Sequence, residues 1–130
     1  METNVEVAIV ILLVATALSH ILRPRVWIEF FHMLRAKGDA GVFVVGMIHL
    51  PLGALIVAFH NHWGGWQTVA TVIGWGWMIK GTLYLIFPQI GMFWLRRLSI
   101  ERSHEFVVGG VALLVLAGIV AFPLVRPMIG

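Results

Sequence analysis

Lys80 is the only charged residue between Ala40 and Leu95. An ammonium group in so apolar a segment is costly, and such a group is usually functional or paired. Its side chain can snorkel toward an interface, lose its proton, bond to a backbone carbonyl or meet an acid from elsewhere. Pro51 leaves the carbonyl of Met47 without its helical donor, which makes that oxygen a candidate acceptor. Lys80 is therefore a candidate for ligand or partner binding, with a structural role as the alternative.

Two further polar residues reach a similar depth if these segments are helices. Lys80 lies eight residues before Pro88, which corresponds to about 12 Å along a helix. His49 follows Asp39 by ten residues, or about 15 Å. Thr16 lies in the same layer of the first apolar segment. We expect Lys80, His49 and Thr16 to form a polar layer near the middle of the helices.

The spacing of the histidines raises the question of a haem or metal site. His49 and His60 are eleven residues apart, so a helix would present both on one face. A haem b site needs a second imidazole at matching depth on a facing helix, and residues 67–87 contain no histidine, so haem would require a dimer. His60 and His62 would bind a metal only weakly without a third ligand. We expect no cofactor and no metal, with haem b as a minor alternative.

Trp75 and Trp77 lie within the same apolar segment as Lys80. They are two residues apart, so they face different sides of a helix. Packing in the core or against lipid is the default for both. A flat cofactor or a quinone tail lying against them is the alternative.

The composition predicts the elements that hold these residues. Hydrophobic residues make up 60% of the chain, charged residues 12%, and the mean hydropathy is +0.96, which lies outside the range of ordinary soluble domains. A membrane-spanning helix needs about 20 predominantly apolar residues. The predicted spans are residues 5–22, 40–60, 67–87 and 105–125. The sequence thus predicts an all-α membrane protein with four transmembrane helices, forming a single domain over residues 1–130.

A polar segment separates the second predicted span from the third. Residues 60–66 combine His60, Asn61 and His62 with a Gly pair and two tryptophans, Trp63 and Trp66. Tryptophan favours the membrane interface, and Asn and Gly are typical of turns. We interpret this segment as a tight hairpin at the membrane surface, with Asn61 capping or turning the chain.

The basic residues predict the orientation of the chain. The pI is near 10.2, but most basic residues occur in the first and third connections: Arg23, Arg25, Arg35, Lys37, Arg96, Arg97 and Arg102. By the positive-inside rule these connections are cytoplasmic, and the hairpin and both termini lie outside. The charge pattern therefore indicates membrane orientation and contact with lipid, and does not indicate nucleic acid binding.

The two halves of the chain match in register. A shift of sixty-four positions places Pro24 on Pro88 and Gly46 on Gly110, which predicts two repeat units, about 1–62 and 66–130. Each unit has a Pro-headed connection with apolar residues at helical spacing, among them Val26 in the first. We expect these connections to form two short amphipathic helices in the cytoplasmic interface.

The segment Gly81-Thr82-Leu83-Tyr84-Leu85-Ile86-Phe87-Pro88, followed by Trp94, Leu98 and Val108-Gly109-Gly110, resembles the YjeT-like family. These are short bacterial inner-membrane proteins built from two spans around a Pro-headed amphipathic segment. The second half is similar to one complete copy, and the first half to a diverged one. The resemblance implies a bacterial inner membrane location but no reaction. Lys80 stands where an acidic residue is expected in that family.

Small residues recur along every predicted span, which favours close packing of helices in lipid. No serine triad, phosphate loop, zinc helix or pair of acids occurs, so we expect no enzymatic activity. The sequence predicts an accessory or assembly subunit that packs against other membrane proteins. The alternatives are a homodimeric carrier of small molecules, lipids or ions and, more weakly, a redox module that holds haem or quinone.

The predicted orientation can be tested with single cysteines, because the chain has none of its own. In intact cells whose outer envelope has been opened, a membrane-impermeant maleimide should label His62→Cys and leave Arg25→Cys unlabelled. Disrupting the inner membrane should make both variants equally reactive. Labelling of Arg25→Cys in intact cells would reverse the predicted orientation.

Overall fold

The computed structural model describes residues 1–129 and is all-helical over that range, without a strand. Six α-helices follow one another along the chain: α1 Glu2–Leu22, α2 Pro24–Ala36, α3 Asp39–Phe59, α4 Thr68–Ile86, α5 Pro88–Leu95 and α6 His104–Ile129. Short 3-10 turns at Gly65–Gln67 and Ile100–Arg102 precede α4 and α6. Gly130, the last residue of the predicted domain, lies outside the described residues.

Four of these helices are long and apolar enough to cross a bilayer. The predicted all-helical fold with four helices of spanning length is therefore confirmed. The last helix is longer than predicted, because it continues through Pro123 and Pro127 to Ile129. Each proline removes one helical donor, but neither ends the helix.

Prolines separate each long helix from the short one that follows it. Helix α1 ends at Leu22 and α2 begins at Pro24, and α4 ends at Ile86 and α5 begins at Pro88. The intervening residues leave the helical region, with φ −134° at Arg23 and −125° at Phe87. A residue before proline is disfavoured in the α conformation, whereas proline itself suits the first turn of a helix.

The long helices pack as two antiparallel pairs, α3 with α4 and α1 with α6. Small residues allow the close approach in both pairs. On α3, Gly46 faces Gly81 and Gly53 faces Gly74, and a Cβ at any of these positions would meet the facing helix. Gly110 of α6 faces the backbone of Ala17 on α1 in the same way. In lipid such packing, and not hydrophobicity, drives helix association.

Two buried clusters lie toward opposite ends of the bundle. We call the end formed by residues 60–64 the hairpin end and the end formed by α2 and α5 the connector end. The cluster toward the hairpin end draws on all four long helices: Ile9, Leu13, Ile56, Ala70, Ala117 and Val120. The cluster at the connector end joins α2, α3 and α5: Leu34, Val42, Val45 and Leu95.

Helix α2 buries part of its apolar surface against the bundle. Ile28 is fully buried, together with Leu34, whereas Val26 is 56% exposed. Val26, which the sequence places among the apolar residues of this connection, therefore lies outside the buried core. Helix α2 contacts α1, α3, α5 and α6.

The close approach of α3 and α4 predicts a large difference between two glycines of α4. A methyl group at Gly81 would overlap the backbone of Leu50, whereas one at Gly76 meets nothing within 4 Å. Gly81→Ala should lower the free energy of unfolding by about 1–3 kcal/mol, the usual cost of overpacking. Gly76→Ala should be neutral or slightly stabilising, because alanine favours a helix. Thermal unfolding in detergent measures both, and equal melting temperatures would contradict this account of the interface.

Candidate functional site

Lys80 and His49 meet in the middle of the α3 and α4 pair. The Lys80 Nζ lies 3.3 Å from the His49 Nε2, and the His49 Nδ1 lies 2.8 Å from the carbonyl oxygen of Val45. Gly81 packs on Leu50, so the residues next to each of them in sequence lie at the same level. Lys80 and His49 therefore lie at the same depth, as expected, and they are in direct contact.

The hydrogen bonds of His49 determine where its proton lies. A carbonyl oxygen only accepts, so the Nδ1 of His49 carries the hydrogen that it donates to Val45. In the neutral ring the Nε2 then has a free lone pair, and it accepts a hydrogen bond from the Lys80 ammonium. A neutral imidazole orients the ammonium group without neutralising its charge.

Lys80 also borders a groove between α4 and α5. The groove has a volume of about 570 Å³, which is within the range of ligand pockets. Its lining residues are Gly76, Ile79, Lys80, Leu83, Tyr84, Ile90 and Trp94. The Lys80 Nζ lies 5.5 Å from the centre of the Tyr84 ring, and Trp77 meets the His49 ring edge to face at 6.1 Å. Tyr84 thus lies beside the ammonium group, and Trp77 packs on the histidine that binds it.

No acid of the chain reaches Lys80 within the described residues. The six acids are Glu2, Glu6, Glu29, Asp39, Glu101 and Glu105, and all lie near a helix end or in a connection. The ion pairs that do form join Glu6 with His60 and Arg102 with Glu105. The positive charge of Lys80 therefore has no countercharge over residues 1–129.

Two sequence expectations about this layer differ from the structure. Among the described residues, Thr16 makes no hydrogen bond to Lys80 or His49, and its carbonyl accepts from the His20 Nδ1 at 2.8 Å instead. Thr16 belongs to α1, which pairs with α6 and not with α4, so equal depth does not bring it near. The carbonyl of Met47 is likewise not the acceptor for Lys80, because the His49 Nε2 takes that place.

A second polar cluster is buried at the hairpin end. The His60 Nε2 lies 3.0 Å from the Glu6 Oε1, and the His60 Nδ1 lies 3.2 Å from the Thr71 Oγ1. His60 and Thr71 are fully buried, and Glu6 is 6% exposed. The Thr71 hydroxyl also donates to the His62 carbonyl at 2.8 Å and accepts from the His62 backbone N–H at 3.0 Å. The cluster connects α1, the hairpin and α4.

The geometry of this cluster constrains its protons. Thr71 has one hydroxyl hydrogen, which it donates to His62, so it can only accept from the His60 Nδ1. The His60 Nδ1 therefore carries a hydrogen, and one further proton lies between its Nε2 and Glu6. Whichever of the two holds that proton, the pair has zero net charge and both groups are hydrogen-bonded. This arrangement satisfies the requirement for burying ionisable groups.

The structure corrects the expected role of the hairpin residues. His60 was expected in a hairpin at the membrane surface, but its ring lies buried against Glu6, whereas His62 is exposed. Over residues 1–129 no group of three or more His, Asp or Glu side chains is placed to hold a metal ion. Glu6 was not among the candidate site residues. The sequence signal that could have found this pair is an acid and a histidine near the same end of two apolar helices.

Asn61 and the tryptophans also take specific places. The Asn61 Oδ1 accepts from the indole N–H groups of Trp63 and Trp75, at 3.0 and 3.2 Å. Asn61 therefore ties the hairpin to α4 and does not cap a helix. Trp66 contacts Phe122 of α6 at 5.7 Å, which brings the end of α6 to the hairpin end. Trp75 and Trp77 face different sides, because one contacts Asn61 and the other His49.

The haem alternative conflicts with the contacts of His49. Both of its ring nitrogens are engaged, one with Val45 and one with Lys80. Ligation of a haem iron by the Nε2 would require this nitrogen to leave the ammonium group. The geometry of this site is that of a hydrogen-bonded cation facing a groove.

The hairpin-end cluster predicts different effects for two acids of α1. Glu6→Leu leaves the buried His60 Nε2 without a partner and should lower the free energy of unfolding by about 1–3 kcal/mol. Glu6→Gln retains a hydrogen-bonding group and should cost less. Glu2→Leu, an exposed acid of the same helix, should change it by less than about 0.5 kcal/mol. Thermal unfolding in detergent compares the three, and a harmless Glu6→Leu would show that the cluster contributes nothing.

Comparison of the chain with protein-family models, with curated proteins and with solved structures finds no match. The resemblance to the YjeT-like family thus stays a prediction. The function proposed below rests on the geometry of the chain itself.

Proposed function

We propose that this chain is a non-catalytic accessory or assembly subunit of the bacterial inner membrane, which contacts another membrane protein through α4. One observation carries the proposal. The ammonium group of Lys80 lies within a spanning helix, its hydrogen-bond partner is the ring of His49, and it borders a groove on the outside of the bundle. A charge in that position is expensive unless something compensates it.

The missing countercharge of Lys80 favours another protein, and not a second copy of this chain, as the partner. A carboxylate 4 Å from an ammonium group gains about 4 kcal/mol where the effective dielectric constant is 20, and about 1 kcal/mol in water. A second copy of this chain has no acid in the middle of a span. Glu6 lies toward the hairpin end, where His60 already binds it, and the remaining acids lie near helix ends or in connections. A heterologous membrane protein is therefore the better source of a carboxylate.

The packing gives less support to the carrier and redox alternatives. The two grooves with the best-defined linings lie on the outside of the bundle, one between α4 and α5 and one between α1 and α3. Neither forms a path between the two ends. The His49 ring is engaged on both nitrogens, so haem ligation by His49 would have to replace one of these contacts. Quinone remains a ligand that a partner assembly could supply.

The proposed orientation places the hairpin and both termini outside the cell, with α2 and α5 in the cytoplasmic interface. Two contacts support a common end for the termini and the hairpin, Glu6 with His60 and Trp66 with Phe122. Most basic residues lie toward the connector end. By the positive-inside rule that end is cytoplasmic.

We further propose that the two halves are repeats. The shift of sixty-four positions that relates Pro24 to Pro88 also places the end of α1, Leu22, on the end of α4, Ile86. The same shift relates Gly46 to Gly110 and Ala17 to Gly81. The contact of Gly46 with Gly81 therefore has its equivalent in the contact of Gly110 with Ala17. The first span of each unit thus packs on the second span of the other, as expected for copies related by an axis along the membrane normal. This arrangement is consistent with the two-span unit of the YjeT-like family.

The proposed contact predicts that a photo-crosslinker in the groove captures a partner in a Lys80-dependent manner. A benzophenone side chain at Leu83 should crosslink a specific protein in native membranes. Lys80→Leu should reduce that product about fivefold or more, the factor expected from loss of an intramembrane contact of roughly 1 kcal/mol. Lys80→Arg should retain more of it, because the charge is kept.

Two controls make this test specific. A benzophenone at Ile11, an exposed residue of α1, should not capture the same protein. Thr16→Val, at the matching repeat position and depth, should leave the Leu83 product unchanged. The proposed contact is wrong if Lys80→Leu, in a correctly inserted protein, leaves the yield as it was.

A further inference from the structure

In the first half of the chain, the side chain of Trp27 fills the space between α1 and α2 that corresponds to the groove between α4 and α5. The Trp27 indole N–H donates to the Ser19 Oγ at 2.8 Å. The indole stacks on the His20 ring with centroids 4.3 Å apart, and it meets the Phe30 ring edge to face at 6.1 Å. Trp27 thus closes the space between α1 and α2 with a half-buried aromatic ring.

The repeat register places these neighbours of Trp27 on the wall of the groove. Adding sixty-four to Ser19, His20 and Phe30 gives Leu83, Tyr84 and Trp94, and these three residues line the groove between α4 and α5. Trp27 itself corresponds to Gly91. Gly91 has no side chain and packs closely on Val42 and Tyr84, so the indole present at the groove is that of Trp94, which forms part of its wall.

The groove therefore combines an aromatic site with a charge. Tyr84 and Trp94 form the aromatic part, and Lys80 lies one helical turn from Tyr84 along the same wall. At the position of Lys80 the first half has Thr16, a neutral residue. The charge and the open aromatic site thus occur together in the second half, and neither occurs in the first.

We infer that the groove receives two side chains of one partner helix: a carboxylate that pairs with Lys80, and an aromatic ring that packs on Tyr84 and Trp94. The inference rests on the proposed function and specifies its partner. Aromatic rings favour stacked or edge-to-face contacts at 4.5–7 Å, which Tyr84 and Trp94 offer. Since Lys80 and Tyr84 are four residues apart, the two partner residues are also about one turn apart, with the ring nearer the connector end.

Designed transmembrane peptides test this recognition directly. The host is a Leu/Ala helix with Lys residues at its ends, and it carries Glu and Trp four residues apart at mid-depth, prepared in both orders to allow either orientation. Full-length protein labelled on a cysteine introduced at exposed Glu2 is reconstituted in phosphatidylcholine vesicles, and energy transfer to labelled peptide reports binding. One order should bind about three- to twentyfold more tightly than the host peptide with Gln and Ala.

Matched peptides and protein variants separate the two contacts. A peptide with Glu and Trp two residues apart has the same composition but places them on different faces, and it should lose the advantage. Lys80→Gln should remove the preference for Glu over Gln and keep that for Trp over Ala. Tyr84→Ala should weaken the preference for Trp and keep that for Glu. Thr16→Val should change neither preference.

The inference is overturned if all peptides bind alike, or if the preference for Glu survives in Lys80→Gln. This failure is distinct from failure of the proposed function. Lys80-dependent crosslinking from Leu83 together with equal binding of all peptides would support a partner at α4 but reject the acidic and aromatic pair. Loss of both results would reject the site altogether.

Discussion

The close approach of the α3 and α4 backbones is the constraint on which the central site depends. Glycines at Gly46, Gly53, Gly74 and Gly81 allow this approach, and α3 and α4 form one of the two extensive helix interfaces. With larger residues the helices would stand farther apart, and the 3.3 Å contact between Lys80 and His49 would be lost. In a bilayer this packing replaces lipid contacts by protein contacts, so its energy comes from shape and from interhelical hydrogen bonds.

The two polar clusters place ionisable side chains in apolar surroundings in two different ways. At the hairpin end, Glu6 and His60 share a proton, and Thr71 satisfies the other side of the imidazole. That cluster has zero net charge and joins three parts of the chain, which indicates a role in stabilising the fold. In the middle of the span, Lys80 has a hydrogen bond but no countercharge among the described residues. The cluster of Lys80 and His49 is the better indication of an external partner, because the charge of Lys80 lacks a countercharge among the described residues.

The two halves of the chain differ in their polar residues but share their small-residue packing contacts. The equivalents of Lys80 and His49 are Thr16 and Leu113, and those of Glu6 and His60 are Ala70 and Leu124. The small-residue contacts, in contrast, recur at matching positions. If the halves are repeats, the packing interface is common to both units, whereas the polar residues are particular to one. Lipid packing needs only shape, but a polar group in a span needs a specific partner at a specific place.

The sequence by itself determined the class of the protein, its four apolar helices, the prolines at which the long helices end, and the common depth of Lys80 and His49. These follow from local composition and from the constant rise of a helix, which require no knowledge of neighbours. Only the tertiary structure decided which helices pair, that Thr16 lies apart from Lys80, and that His60 is buried against Glu6. It also decided that Asn61 binds two indoles. Depth is a property of one helix, but contact depends on the rotation and pairing of several helices, and these are set by packing between residues far apart in the chain.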